Sequence, residues 1–264
     1  MIAAGKKKHR GVQLSPAEKV GMVFVYIVCI LAGVLTIVPF LYVVAGSFAT
    51  EKELVERAFF VIPHTFSMNA YKYITADGSI FRGLMNSFLI MVAGTFINMA
   101  FTTTLAYPLS KSHIKGRNVV LNMIIITMLF SGGMIPNYLV VKGLGLLDSY
   151  WALMLPGAIN AFNLIIVKNF FQELPHELEE AAKIDGATNL QILGKITIPL
   201  VMPSITICLF LTLTNSFKLF DQNLALTAGL PGRQTQMLAL DIYNTFYGRT
   251  GWEGVGQAKA VVFF

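Results

Sequence analysis

The stretch Glu177-Leu-Glu-Glu-Ala-Ala-Lys-Ile-Asp-Gly-Ala-Thr188, running on to Ile196-Thr-Ile-Pro199, is a charged island between two apolar runs. Ser149–Val167 precedes it and Ile196–Phe217 follows it, and neither run holds a charged residue. Glu177, Glu179 and Glu180 crowd the start of the island, where acids suit the positive end of a helix macrodipole. Leu178, Ala181, Ala182 and Ile184 form an uneven apolar patch, small in its middle, on an otherwise polar helix. Gly186 ends that helix, because glycine reaches positive φ without steric cost. A second amphipathic turn with Leu190, Ile192 and Leu193 precedes Pro199. Two short helices joined by a glycine corner have the form of a docking element.

Three further windows lack charge: Val20–Val44, Gly83–Leu109 and Val119–Val141. At 1.5 Å per residue each of the five windows is long enough to cross a hydrocarbon layer of about 30 Å. A charge at a span centre costs roughly 2.5–3.5 kcal/mol, so five such windows in one chain are not accidental. The composition agrees, being 55% hydrophobic and 13% charged, against about 25% charge in soluble domains. The fold class expected is all-α, a polytopic transmembrane bundle of five complete spans. Gly256–Phe264 reads as the start of a sixth span. Pro39, Pro136, Pro156, Pro199 and Pro203 lie in or beside the windows and are expected to kink the spans rather than break them.

Orientation follows from Lys and Arg density. With the N-terminus inside, the inner segments Met1–Lys19, Ser110–Asn118 and Lys168–Lys195 hold eleven of the twenty basic residues in fewer positions than the other nine. That places residues 1–19 as a basic cytoplasmic N-terminus, 20–264 as the membrane domain, 171–195 as a cytoplasmic loop, and 49–81 and 218–254 as extracytoplasmic loops. The first apolar run is too long for the core of a secretory signal. The net charge of +6 is accounted for by inner flanks and calls for no nucleic acid. Cys29 and Cys208 both sit in apolar runs, so neither a disulfide framework nor a metal site is expected.

Glu180-Ala-Ala-Lys-Ile-Asp-Gly186, nine residues, Ile196, one residue, Ile198-Pro199 resembles the cytoplasmic coupling loop of permease subunits in binding-protein-dependent ATP-binding-cassette importers. That family's pattern is Glu-Ala-Ala, three residues, Gly, nine residues, Ile, one residue, Leu-Pro, and only Ile198 departs from it. Asn86-Ser-Phe-Leu, Met134-Ile-Pro-Asn, Gly143-Leu-Gly-Leu-Leu-Asp148 and Trp151-Ala-Leu-Met-Leu-Pro156 resemble carbohydrate-uptake permeases of the maltose-permease-like second-subunit type. Ser216–Gly232 and Met237–Tyr243 instead resemble the first-subunit type. The resemblance implies the importer-permease (MetI-like) fold. It also implies that Glu177, Glu180, Ala181, Ala182, Asp185, Gly186, Ala187, Leu190, Ile196 and Pro199 dock an ATPase. In that role the two alanines would admit a close backbone approach and Glu180 would meet a partner arginine. The acid-rich start argues against a merely interfacial amphipathic helix, whose polar face is usually basic.

Asn215, Phe217, Phe220, Asp221, Gln222 and Asn223 stand where the fifth span meets the outside. Aromatic faces beside amides and a carboxylate suit a sugar, although an interfacial helix cap is the commoner reading of such residues. Asn98, Thr102, Thr103, Asn122, Asn160 and Asn163 within the windows either line a path or join helices by hydrogen bonds. No catalytic set emerges. His176-Glu177 lacks a second histidine at metalloprotease spacing, and no phosphate-binding loop ends in Gly-Lys-Ser/Thr.

The resemblance therefore implies a multi-pass subunit of a bacterial cell membrane that is not itself an enzyme and binds no cofactor. ATP and Mg would belong to two ATP-binding subunits. A second permease subunit, an extracytoplasmic solute-binding protein, a sugar or oligosaccharide and the lipid bilayer would complete its surroundings. A permease for an amino acid or phosphate, or a non-transporting membrane scaffold, remain the alternatives.

Overall fold

The computed structural model describes residues 15–264, and all regular elements among them are helical. In chain order they are α1 (Pro16–Ser47), α2 (Glu51–Glu56), α3 (Asn69–Asp77), α4 (Ser79–Ser110), α5 (Arg117–Leu129), α6 (Met134–Gly143) and α7 (Tyr150–Met154). There follow α8 (Ala161–Glu173), α9 (His176–Ile184), α10 (Asn189–Ile192), α11 (Ile198–Phe217), α12 (Asp221–Leu226), α13 (Leu238–Gly248) and α14 (Glu253–Phe263). Of the expected basic N-terminus 1–19, residues 1–14, with Lys6, Lys7, Lys8 and Arg10, lie outside the described residues, and residues 15–19 are the capped start of α1.

Helix α1 starts on a capping box. The Ser15 hydroxyl accepts from the Glu18 amide at 3.3 Å, the Glu18 carboxylate accepts from the Ser15 amide at 2.6 Å, and Pro16 takes the first helical position. Its apolar run is exposed almost throughout, leaving a face for lipid or another subunit. Only its C-terminal end is gripped. Gly46 lies against the Gln257 side chain of α14, and a Cβ at Gly46 would overlap that amide. Phe40 meets Phe264 edge-on at 5.8 Å.

The centre of the bundle is the triangle α4–α8–α11. Met99, Ala106, Leu164, Val167, Val201 and Cys208 fill it. One further hydrogen-bond set binds the three helices: Asn163 Nδ2 donates to Thr212 Oγ1 at 2.9 Å, and Thr212 Oγ1 donates to Asn98 Oδ1 at 3.4 Å. Asn98 and Asn163, read from sequence as path or glue, join the helices here and also line a cavity described below.

Three of the five windows lie in long helices that meet the length and hydropathy needed to cross a membrane. The other two are not continuous, which corrects the expectation of unbroken spans. Val119–Val141 divides into α5 and α6 around Phe130–Gly133, where Gly133 has φ 78°. Ser149–Val167 divides into α7 and α8 around Leu155–Asn160. Pro156, which lacks an N–H, sits in that break rather than in a kinked helix. Irregular backbone at membrane depth survives only where protein or a wet cavity satisfies it. Here Asn98 Nδ2 donates to the Gly157 carbonyl at 2.6 Å, and Asn160 Oδ1 caps α8 by accepting from the Asn163 amide at 3.1 Å. Pro39 and Pro203 are accommodated inside continuous helices, and Pro199 lies in the first turn of α11.

A second difference concerns the start of α11. A π-helical turn over Leu193–Thr197 joins α10 to α11 without interruption, so one helix runs from Asn189 to Phe217. The second short helix foreseen from sequence is the extension of a span.

At the opposite end of the bundle α3, α13, α14 and the end of α1 pack together. Lys259 Nζ lies 2.6 Å from Asp241 Oδ2 and also donates to Thr245 Oγ1 (3.0 Å) and Ser79 Oγ (3.1 Å). Glu53 pins the neighbouring loop by accepting from the His64 and Thr65 amides at 2.8 and 3.2 Å and from Arg57 at 2.6 Å. The His64 amide bond is the main cause that holds the Glu53 carboxyl below the usual carboxylate range.

Two expected outcomes follow. Lys259→Met leaves Asp241 buried and uncompensated, at a cost of about 3–5 kcal/mol, whereas Lys259→Met/Asp241→Leu recovers most of it; thermal unfolding in detergent measures both. The depressed Glu53 carboxyl stabilises the fold above the unfolded carboxylate pKa, and this is lost as pH falls through the lower folded value. Amide-exchange protection at His64 and Thr65 should therefore drop on acidification, and should be low at every pH in Glu53→Gln.

Candidate functional site

The helix–corner–helix is built by local rules. Helix α9 ends in a Schellman arrangement: the Gly186 amide donates to the Lys183 carbonyl at 3.0 Å and the Ala187 amide to the Ala182 carbonyl at 2.9 Å. Gly186 takes φ 84° and has open space around it. Helix α10 then starts on a second capping box, with Thr188 Oγ1 accepting from the Gln191 amide and Gln191 Oε1 from the Thr188 amide.

The residues singled out from sequence divide by exposure. Glu177, Glu180, Ala181, Asp185, Gly186, Leu190 and Pro199 are exposed, Ala187 and Ile196 are half-buried, and Ala182 is buried against the chain itself. Ala182 therefore positions the corner and is not free for close approach by a partner. Ile184 and Leu190 are 86% and 81% exposed, one on each side of the corner. Each limb thus presents one exposed aliphatic side chain, with Lys183 and Asp185 flanking Ile184 and the neutral Asn189 and Gln191 flanking Leu190.

One element escaped the sequence reading. Lys111, just beyond α4, pairs with Glu179 of α9 and stands 5.1 Å over the Tyr107 ring. Tyr107 in turn meets Phe171 of α8 edge-on at 5.6 Å. Gln172 donates to the Ser110 carbonyl at 3.3 Å, and Arg117 donates to the Leu109 carbonyl at 2.7 Å. The end of α4 is thus tied to the corner through α8 and α9. In sequence Lys111 is one of several loop lysines, and pairing across 68 positions leaves no local signal.

Deeper in the bundle a cavity of ≈ 320 Å³ opens at the α7–α8 break. Asn98, Asn160, Asn163, Thr212, Asn215 and Gln222 supply amide and hydroxyl groups to its wall, with Ile90, Leu153 and Met154 as apolar surface. A few polar groups on an apolar wall are the general make-up of a small-molecule site. Of the six residues named from sequence at the end of the fifth span, Asn215 and Gln222 face it, and Asn98, Asn160 and Asn163, read as path or glue, line it too. Phe217 stacks on Phe263 at 5.3 Å and Phe220 lies against Tyr243 at 5.2 Å. Asp221 is exposed away from the cavity. Asn223 is fully buried and bonds Thr227, the Thr235 carbonyl and the Met237 amide, so it holds a loop together.

Gly186→Val forces a β-branched residue into the left-handed region at the corner and is expected to reduce amide-exchange protection of residues 186 and 187 at least severalfold. Gly194→Ala, in a helical position with open space, should leave it unchanged. Hydrogen exchange of the two variants in detergent compares them.

Comparison with known proteins places this geometry. Residues 103–263 match the family model described as "Binding-protein-dependent transport system inner membrane component". The chain is 59% identical over 179 residues to protein LplC of Bacillus subtilis (strain 168), covering 67% of this chain and 61% of that protein. It is 50% identical over 191 residues to the polygalacturonan/rhamnogalacturonan transport system permease protein YtcP of the same organism, covering 72% and 67%. Among solved structures it matches, at TM-score 0.84 and 26% identity, a chain of a bacterial ABC transporter involved in the import of the acidic polysaccharide alginate, covering 96% of this chain and 94% of that one. The chain thus spans less than two thirds of the length of LplC. The family match covers more than half of this chain and includes α8 to α11 with the whole corner: the protein belongs to the inner-membrane components of binding-protein-dependent transport systems.

Proposed function

We propose that this chain is a permease subunit of an ATP-binding-cassette importer and carries a sugar or oligosaccharide into the cell. The observation that carries the reading is the exposed corner: Ile184 and Leu190 project from a glycine-capped turn whose second limb is continuous with α11. Burying two such side chains in a partner groove contributes about 1.5–3 kcal/mol each. The named transport role of YtcP and of the alginate importer supports the substrate class.

In this reading the ATP-binding subunits, two per importer, hold ATP and Mg and grip Glu177–Leu190. Closure of the ATPases moves the corner, and the continuous helix Asn189–Phe217 passes the motion to the cavity. The Lys111–Glu179 pair carries α4 along with it. The spans then rock as rigid bodies between inward- and outward-open states, and a second permease subunit faces this one across the path. An extracytoplasmic solute-binding protein delivers the sugar to the end bearing α3, α13 and α14. The N-terminus and the corner lie in the cytoplasm, as the basic bias of the inner segments supports.

Two measurements test this. Glu180→Lys and Leu190→Asp are expected to cut sugar uptake by tenfold or more while the chain remains in the membrane; normal uptake with normal ATPase co-purification rules the docking role out. Single cysteines at Ala181 and at Arg233, in a chain with Cys29 and Cys208 replaced by Ala, should label oppositely with an impermeant maleimide on intact cells, Arg233 reacting and Ala181 protected.

A further inference from the structure

One charged hollow is left unused by the transport cycle described above. It lies at the end of the bundle opposite the corner, between the α3–α4 turn, the loop before α13, and α14. It has a volume of ≈ 130 Å³ and continues into a smaller recess of ≈ 30 Å³. Arg82 and Arg233 line the larger part, and Arg233 and Arg249 the smaller. The buried Lys259–Asp241 pair belongs to its lining, with Asp77 beside it. Among the described residues the ion pairs lie elsewhere or within that buried pair, so none of the three guanidinium groups is neutralised by a carboxylate within 4.0 Å. Four cations against two carboxylates leave the hollow positive.

The backbone is shaped to present these groups. Arg233 takes φ 66°, in the left-handed region that a non-glycine side chain enters only under constraint. The constraint is visible. The Gln234 carbonyl accepts from Asn86 Nδ2 at 2.7 Å and from the Tyr150 hydroxyl at 2.8 Å, and the Gln236 carbonyl accepts from Asn86 Nδ2 at 2.9 Å. Ser87 Oγ accepts from the Leu238 amide at 3.0 Å, and the Asn223 side chain ties Thr235 and Met237. A loop strapped to α4 at this many points, with one strained residue at its tip, is a built feature. The strain sits at the residue whose side chain enters the hollow.

The remaining lining says what kind of anion fits. Tyr73 and Trp252 offer aromatic faces, with the Arg249 guanidinium 4.6 Å from the Trp252 ring centroid. Gln236, Asn244 and Ser79 offer hydrogen-bonding groups of both signs. Asp77 is held below the usual carboxylate range by the Ser79 hydroxyl and then by the Lys259 and Arg249 charges, so it stays an acceptor. A guanidinium binds a carboxylate bidentately, while amides, acidic acceptors and an aromatic face suit a hydroxylated ring. A protein side chain would need the carboxylate partners but not the acceptors or the aromatic face.

The hollow is also in line with the cavity. Gly83 lines the hollow, and Ile90, Gly94 and Asn98 line the cavity; their spacings of seven, four and four put them on one face of α4. At 1.5 Å per residue the two sites are roughly 16 Å apart along that helix.

We propose that the Arg82–Arg233–Arg249 hollow is a recognition site for the carboxylate of an acidic sugar unit, so that this chain selects uronate-bearing oligosaccharides at the outer end of the path. The proposal rests on the saccharide-permease reading and adds the charge of the cargo to it.

The chain carries two tryptophans, so Trp151→Phe leaves Trp252 as an indole reporter inside the hollow. The full chain, purified in lipid nanodiscs, is titrated with trigalacturonate, its methyl ester, maltotriose and hexaglutamate while indole emission is followed. The expected result is a saturable change with trigalacturonate alone. Loss of one charged hydrogen-bond donor should weaken it about tenfold in each of Arg82→Gln, Arg233→Gln and Arg249→Gln. Arg233→Gly, which relaxes the backbone but removes the charge, should weaken it equally. An equal response to the methyl ester or maltotriose overturns the carboxylate selection. A response to hexaglutamate alone overturns the sugar and makes the hollow a docking surface for an acidic protein. No response to trigalacturonate, with saccharide uptake intact in cells, overturns the site and leaves the permease reading standing. Saturable trigalacturonate binding in a chain whose cells take up no saccharide overturns the permease reading, and the selective role with it.

Discussion

The hydrogen-bond set Asn98–Thr212–Asn163 is the interaction on which the rest of the bundle depends. In a hydrocarbon layer an unpaired backbone carbonyl costs several kcal/mol, so a span breaks where protein groups or a wet cavity satisfy the freed backbone. Asn98 does this for the Gly157 carbonyl while also joining α8 and α11 through Thr212. The break between α7 and α8, the cavity at that break and the packing of the three central helices are consequences of the same few amides. Polar groups between membrane helices are worth only about 0.6–2 kcal/mol each. Their value here is positional: they determine where irregular backbone is allowed and hence where a polar cavity can exist.

Mechanical continuity is the second theme. A flexible connection between the corner and the spans would lose any motion delivered at the corner. Instead, the π-turn at Leu193–Thr197 carries α10 into α11, and the Lys111–Glu179 pair links the corner to α4. The end of α4 is held from three sides by Gln172, by Arg117 and by Phe171, whose ring meets Tyr107 of α4. The exposed apolar run of α1 makes no comparable contact, and its C-terminal end alone is locked by Gly46 against Gln257. The two parts behave as a tied core and a peripheral helix.

The membrane class, the three long helices and the corner were readable because their signals are local. Charge-free length marks Val20–Val44, Gly83–Leu109 and Ile196–Phe217, and Gly186 with its capping partners marks the turn. Sites that depend on distant partners were read less well. Phe217, Phe220 and Asn223 have the composition of a sugar site, yet stacking on Phe263 and Tyr243 and the bonds to Thr227, Thr235 and Met237 use them elsewhere. Val119–Val141 and Ser149–Val167 have the hydropathy of spans, yet hydropathy averages over a break and cannot register it.

Periodicity, charge and glycine placement therefore settle what is local to this chain: that it crosses a membrane, and that a capped corner interrupts it between two apolar runs. Packing settles which of its many asparagines, arginines and lysines meet. Asn98 finds Gly157, Lys111 finds Glu179, and Arg82 shares a hollow with Arg233. The physical reason is the range of the interactions. A helix cap or a glycine turn acts within about six residues of chain, whereas each of those pairings joins residues that only the folded bundle brings together.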